Sequence, residues 1–298
     1  MKVVFWGCRG STPCPGANTV RYGGNTSCIE IRNSTNDILI LDAGSGIREL
    51  GMSLLREMPI KASLLICHTH WDHIHGFPFF APAFIPKNNI QILGPAKMVS
   101  NKSIGDVLAE QMNYAYFPVR TAELLGKISY IDQMAGRADV EGFDVNCFPS
   151  NHPILSIGSR IEADRKVVVF TGDHEPYRDT IYPSDDMSDE AVSAREFAAQ
   201  QNTMLEETAR GADLLICDCQ YTDKEYETKI GWGHSSVGHC IDRAVKAGVK
   251  KLALTHHDPL KTDNDLDVLE AEAKKRMEKA SGKSIEVFYA REQMIVEL

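Results

Sequence analysis

Residues 63–76 read SLLICHTHWDHIHG. An apolar run ending at Cys67 is followed, within six residues, by His68, His70, Asp72 and His73. The run has the length and composition of a short buried strand, and a tight loop after it can turn all four polar side chains toward one point. Imidazole and carboxylate together suit zinc, manganese or iron. Four such groups are too many for one catalytic ion that must keep a position open, and they suit a split between two ions. A bare surface loop would hold so dense a set of ligands only at a cost, because no cation would offset their mutual crowding.

The same pattern, an apolar strand that ends on His or Asp, recurs at LILDAG (39–44), VVVFTGDH (167–174) and KLALTHH (251–257). Several such ends meeting at one rim of a sheet would form a site. Other strand candidates are KVVFWG, SCIEIR, IQILGP, ISYID, DVNCFPS, DLLICDC and SIEVFYA, most of them flanked by turn signals. The cysteines of DLLICDC, Cys217 and Cys219, lack zinc-ribbon or CxxC spacing and read as structural. Helical composition marks 191–212 and 265–283. After Ser236, the residues Val237, Ile241, Ala244, Val245 and Ala247 form an apolar stripe that stops at Gly248, which predicts an amphipathic helix. His239 falls off that stripe and is expected to face solvent. Strands, a helix, more strands and further helices fit two sheets between helices better than one doubly wound sheet.

The chain has 298 residues, 43% of them hydrophobic and 24% charged, enough for a large core. Its net charge of -9 argues against tight nonspecific binding to nucleic acid or anionic membranes, but not against a small anionic substrate beside bound cations. The opening MKVVFWGCRGS is too short in apolar residues for a signal-peptide core, and no stretch reaches the ~18–20 apolar residues of a membrane helix. With eight cysteines, this predicts a cytoplasmic protein with reduced thiols.

HxHxDH after a hydrophobic strand resembles the signature of the metallo-β-lactamase superfamily. The resemblance covers most of the chain. GCRGSTPCPGANTVRYGGNTSCIEI (7–31) is similar to the glycine-rich turn and second strand of its phosphodiesterase and RNase Z-like members, and LDAGSGIREL (41–50) to the strand and loop before the metal motif. NHP, FTGD and LTHHDP resemble the later motifs and supply His152, Asp173, and His256 or His257. The resemblance implies an α+β fold, an αββα sandwich of two mixed β-sheets flanked by helices. It implies one hydrolase domain over 1–298, with an acidic helical insertion at about 176–210 that serves as a cover or dimer element or as a solvated face.

It also implies two divalent ions, zinc first and manganese second. His68, His70 and His152 would hold one ion, and Asp72, His73 and His256 the other. Asp173 would bridge them. His256 is preferred to His257 because it follows Thr255 directly, as in the LTH pattern of RNase Z-like relatives. His257 is then a group behind the ligands or the alternative ligand. His75 is expected at the pocket wall or behind the ligands. Asp42 is either a turn residue or the acceptor that orients a ligand histidine. His174 either points away from the site or lines the pocket. Ser159 departs from relatives that carry an aromatic residue there.

GHSS (233–236), followed by a helix and LTH, resembles the HST-helix-LTH arrangement of RNase Z and related phosphodiesterases, in which the histidine faces the scissile phosphate. Ser235 or Ser236 is a good N-cap, and a helix N-terminus favours phosphate. His234, Ser235 and Ser236 are therefore the expected substrate contacts, with His234 and Asp72 the catalytic pair. The expected reaction is hydrolysis of a small, cyclic phosphodiester, such as a cyclic nucleotide or phosphoribosyl cyclic phosphate, by a metal-bridging hydroxide. No long basic Gly/Pro-rich arm appears between the motifs, so no stable nucleic-acid complex is expected. A homodimer stays open. The alternatives are an RNase Z-like RNA-processing nuclease and a non-catalytic metal- or nucleotide-binding module.

Overall fold

The computed structural model describes residues 1–95, 101–281 and 285–298. Strands β1 (Lys2–Gly7), β2 (Cys28–Arg32), β3 (Ile38–Leu41), β4 (Lys61–Leu65), β5 (Asn89–Gly94) and β6 (Lys127–Asp132) lie side by side in that order. A second sheet runs from β7 (Gly136–Val140) through β8 (Phe143–Ser150), β9 (Ser156–Ala163), β10 (Lys166–Phe170), β11 (Leu214–Asp218) and β12 (Lys251–Thr255) to β13 (Glu286–Tyr289). The last strand, β14 (Ile295–Glu297), returns to pair antiparallel with β1. Both sheets are mixed: β3 to β6 and β10 to β13 run parallel, and the other neighbours antiparallel.

The apolar runs decide the layers. ILIL of β3 and LLICD of β11 are buried on both faces, as central strands between a second sheet and a helix must be. One face of each sheet meets the other across Phe5, Ile31, Leu41, Val145, Val168 and Ile216. Helices α1 (Ile47–Leu54) and α3 (Ile104–Gln111) cover the outer face of the first sheet through Ile47, Leu50, Leu54, Ile104 and Leu108. The second sheet is covered by α6 (Val237–Ala247) and α7 (Asp263–Ser281) through Cys240, Ile241, Leu266 and Met277. The result is an αββα sandwich of two mixed sheets, the architecture expected. Short helices α2 (Trp71–Ile74) and α5 (Asp223–Tyr226) sit in loops, and α4 (Asp189–Thr208) packs beside α6 within the acidic segment 176–210. Among the described residues, no helix is long and apolar enough to cross a membrane.

Each predicted strand forms, but β7, β9 and β14 had no signal. SIGSRIEA of β9 carries glycine and serines where a strand pattern wants branched residues, yet it pairs along its length with both β8 and β10. Ser159 is buried inside that strand and does not line a cleft. The helix after Ser236 ends where Gly248 takes the left-handed conformation, φ 61°, that closes a helix cheaply only at glycine. Gly282 and Lys283 of one predicted helix, and Ser284 of the strand after it, lie outside the described residues.

The parallel runs bring the strand ends together. β3 and β4 deliver Asp42 and the HTHWDH loop at one rim, and β10, β11 and β12 deliver Asp173, Asp218 and His256. Two links lock the rims. The Ile157 N–H donates to the Cys67 carbonyl at 2.9 Å, and the His257 N–H donates to the Cys8 carbonyl at 2.8 Å. The inter-sheet core therefore holds the two halves of the rim in register. Leu41→Ala, which empties a fully buried position at the start of the Asp42 turn, is expected to lower stability by about 2–5 kcal/mol in urea titrations.

Candidate metal centre

After β4 the chain turns through a single helical turn, α2, with His70 as its N-cap. That turn aims Asp72 and His73 back at the rim. One ligand atom each from His68, His70 and His152 lies within 4.8 Å of the others, and the same holds for Asp72, His73, Asp173 and His256. Asp173 lies between the two groups. Its Oδ2 is 3.2 Å from Nε2 of both His73 and His256, and 3.7 Å from Nε2 of His68. Asp72 Oδ2 is 3.2 Å from His256 Nε2 and accepts the Ser11 N–H at 2.7 Å.

Carboxylates behind the ligands set their orientation. Asp42, at φ 62°, accepts from the Cys67 N–H at 2.8 Å, from Ser27 Oγ at 2.9 Å and from His73 Nδ1 at 2.8 Å. With Nδ1 engaged, His73 presents Nε2 to the centre, and that nitrogen is buried without a hydrogen-bond partner. His68 Nε2 is likewise buried and unpartnered. His152 Nδ1 meets the Gly233 carbonyl at 3.0 Å, so Nε2 points inward, 3.1 Å from His70 Nδ1. Gly233 has to be glycine. Its φ is 88°, and a Cβ there would stand 2.3 Å from the His152 ring.

The electrostatics of this cluster favour cations. Burial alone would push the Asp72 and Asp173 carboxyls up, but His73 and His256 hold both well below the usual range. Burial would likewise lower His73 and His256, but Asp173, with Asp72 assisting, raises both well above the ordinary histidine value. His68 and His152 are held down, chiefly by burial. Inward-facing nitrogens without partners and shared carboxylate oxygens are what a pair of divalent ions would satisfy, and the His/Asp donor set fits zinc or manganese.

His256 and His257 separate clearly. His256, at φ 59°, turns into the cluster, and Gly10 leaves the space beside its ring. His257 turns the other way and donates Nε2–H to the Ala290 carbonyl at 2.8 Å. Burial pushes its pKa down to about 3. His75 is half-buried at the end of α2, with Nδ1 on the Trp71 carbonyl, and belongs to none of the groups of His, Cys, Asp and Glu that come close enough to hold an ion among the described residues. His174 is fully buried, accepts the Asn151 N–H at 3.1 Å, and does not line the cleft.

His234 also reaches the rim. Its Nδ1 lies 2.9 Å from Asp218 Oδ2, and its ring stacks on His256 with centroids 4.7 Å apart. Asp218 was missed in the sequence, although LLICD ends on a carboxylate just as the other site strands end on His or Asp; the flanking cysteines drew the reading instead. Glu175 gave no signal at all. Its buried carboxylate accepts the N–H groups of Gly231 and Gly233 and the Tyr226 hydroxyl, and so holds the loop that carries His234.

Two expectations about GHSS need correction. Ser235 and Ser236 are buried, and neither hydroxyl is free for substrate. Ser235 Oγ donates to the His174 carbonyl at 2.6 Å, and Ser236 Oγ, the N-cap, donates to Asp223 Oδ1 at 2.6 Å. Nor does the N-terminus of α6 offer free N–H groups to a phosphate. Val237 donates to the Tyr221 carbonyl, Gly238 to Asp223 and His239 to Ser236 Oγ. A carboxylate from α5 already occupies the place expected for the anion. His239 is half-buried rather than solvent-facing, because it completes the capping box and packs edge-on against Tyr226 at 4.7 Å.

A family model described as "Beta-lactamase superfamily domain" matches residues 38–193, just over half of the chain. The ribonuclease Z of Haloarcula marismortui is 26% identical over 290 residues, covering 86% of this chain and 86% of that protein. That of Staphylococcus carnosus is 24% identical and covers 91% and 93%. Among solved structures, the metallo-beta-lactamase fold protein YhfI of Bacillus subtilis superposes with a TM-score of 0.68 at 20% identity, covering 99% of each chain. The short form of human tRNase Z gives 0.61 at 19%, covering 100% and 99%. A diphosphatase of the PhnP family gives 0.63 at 14%, covering 100% and 97%. At these identities the structural likeness is one of fold.

The metal-free protein has two opposed histidine groups. What the raised His73 and His256 contribute to stability is complete below about 6.5, the unfolded value, and is lost as pH climbs through their folded values. What His68, His152 and His257 contribute is complete above about 6.5 and is lost as pH falls. The urea midpoint measured in chelator should therefore peak near neutral pH. A midpoint still rising from pH 7 to 9 would contradict the charged state of His73 and His256.

Proposed function

The chain belongs to the beta-lactamase superfamily, and on that premise we propose that it is a dinuclear metal-dependent phosphodiesterase. His68, His70 and His152 would hold one ion, and Asp72, His73 and His256 the other, with Asp173 between them. When bound there, divalent ions supply Lewis acidity toward a phosphoryl oxygen and bring the pKa of water near neutrality. Zinc is the first choice of metal and manganese the second. The substrate is a small phosphodiester, cyclic in our reading: a cyclic nucleotide or a phosphoribosyl cyclic phosphate.

His234 carries this reading. It stands at the rim of the cluster, where it, Asp173, Asp218 and His256 also bring ligand atoms within 4.8 Å of one another, but the seven ligands of the proposed pair do not include it, and only 12% of its side chain is exposed. Asp218 accepts the Nδ1 proton at 2.9 Å, which fixes the orientation of the ring. Nε2 is then the nitrogen left for the substrate, and a proton carried there can be donated to a phosphoryl oxygen or to the leaving alkoxide. A thiolate, the better leaving group, would need less help of this kind than an alkoxide does. Asp72 keeps Oδ2 on Ser11 and His256, which leaves Oδ1 to accept a proton from the attacking water. Asp42, Asp218 and Glu175 position these groups and do not touch the substrate.

A second reading is favoured by one finding. The relatives that span most of the chain are named ribonuclease Z. Against it stands the net charge of -9, which opposes the phosphate contacts that bind a long RNA. The eight cysteines, all free and seven of them buried, fit a reducing cytoplasm.

Two experiments test the proposal. Remetallated protein should bind two equivalents of metal and hydrolyse cyclic mononucleotides, cyclic dinucleotides or ribosyl cyclic phosphates in preference to precursor tRNA. Preferential cleavage of the tRNA would install the nuclease reading, and less than one equivalent of metal with no hydrolysis of bis-p-nitrophenyl phosphate would remove the enzyme. His234→Ala should keep both ions by elemental analysis and lose about 10²–10⁴-fold in kcat. Loss of an ion in that variant would show that His234 belongs to the ligand set.

A further inference from the structure

Beside the centre lies a cavity of about 250 Å³ that the proposed reaction does not use. His152 belongs to both. The remaining wall comes from Asn151, from Tyr177, Arg178 and Thr180 on the segment after Asp173, and from the Gly231–Gly233 loop. Such a volume, just below the range of whole-ligand pockets, suits one substituent of a substrate rather than all of it.

The cavity is built for an anion. Arg178 has no ion-pair partner among the described residues, and its guanidinium rests 5.0 Å from the centroid of the Tyr226 ring. Thr180 adds a hydroxyl and Asn151 an amide. Glu175 is the one carboxylate on the lining, and it is 4% exposed with both oxygens taken by Gly231, Gly233 and Tyr226. The acidic segment fixes this wall on both sides of Arg178. Tyr177 and Asn202 of α4 exchange hydrogen bonds, N–H to Oδ1 at 3.0 Å and Nδ2 to carbonyl at 2.8 Å. Asp179 pairs with Arg195 of α4 at 3.5 Å, and Arg195 also donates to the carbonyls of Pro183 and Asp186. A helix that pins the residues on either side of an unpaired arginine is a scaffold for that arginine.

We propose that Arg178, held by α4 in the wall shared with His152, is a specificity residue that binds a second anionic group on the substrate, a phosphate remote from the diester. This rests on the phosphodiesterase reading and refines it: the preferred substrate carries a terminal phosphate as well as the diester that is cleaved. It also gives the acidic segment a task within its own chain.

A matched chromogenic pair tests it, thymidine 5′-(p-nitrophenyl phosphate) with and without a 3′-phosphate. Metal-loaded wild type should show the lower KM for the 3′-phosphorylated ester. Arg178→Gln should raise that KM about tenfold or more relative to its change for the unphosphorylated ester, at similar kcat, and Arg178→Lys should recover part of it, since a charge-assisted contact is lost and then partly restored. Equal changes for both esters, or no wild-type preference, would overturn the proposal. Calorimetric titration of the metal-loaded protein with thymidine 3′,5′-bisphosphate and thymidine 5′-monophosphate reads the pocket without turnover. If neither ester is cleaved, the phosphodiesterase reading fails. The pocket still stands if the bisphosphate binds more tightly and Arg178→Gln removes the difference, and it falls if the two bind alike.

Discussion

Asp173 places one carboxylate oxygen within 3.2 Å of two imidazole nitrogens, in a position almost closed to solvent. Asp72 adds a second buried carboxylate whose Oδ2 is 3.2 Å from His256 Nε2. Buried charges this close are tolerated only when something of opposite sign is shared among them. In the metal-free chain protons on His73 and His256 meet that requirement, and divalent cations meet it better because His68, His70 and His152 can then turn their lone pairs inward as well. The sheets, turns and loops around the rim follow from the need to hold these groups at contact distance.

That holding is done largely by carboxylates one layer out. Asp42 ties the His73 ring to the backbone of Cys67 and the hydroxyl of Ser27, so the HTHWDH turn is anchored to both β3 and β4. Asp218, at the end of β11, fixes His234. Glu175 gathers the Gly231–Gly233 loop, and Gly233 in turn orients His152 through its carbonyl. Each carboxylate accepts from N–H or O–H donors of the groups it holds. A site assembled from two sheets gains a defined geometry this way.

Much of this was legible in the sequence, and the pattern of failures is physical. Strands that end on His or Asp announced the rim, because an apolar run next to a polar end has few other uses. β9 was not legible, since its serines and glycine gain strand form only from the neighbours on either side. Asp218 followed the same pattern as Asp42 but sat between cysteines. Glu175 and Gly233 could not be found from local sequence, because their partners lie more than fifty residues away. The helix at Val237 was correctly placed, yet its free N-terminus was a false inference: Asp223, brought in by α5, supplies the cap that a phosphate was expected to meet. What survives of that idea is His234 itself, held by a side chain and not by a helix dipole.

The central claim is that two cations share Asp173. The most direct test is a crystal structure of the metal-loaded protein with anomalous scattering collected at the metal edge. Two peaks about 3.5–4 Å apart are expected, on either side of Asp173, one facing His68, His70 and His152 and the other Asp72, His73 and His256. A single peak, or a second ion seated on His234 and Asp218, would contradict it.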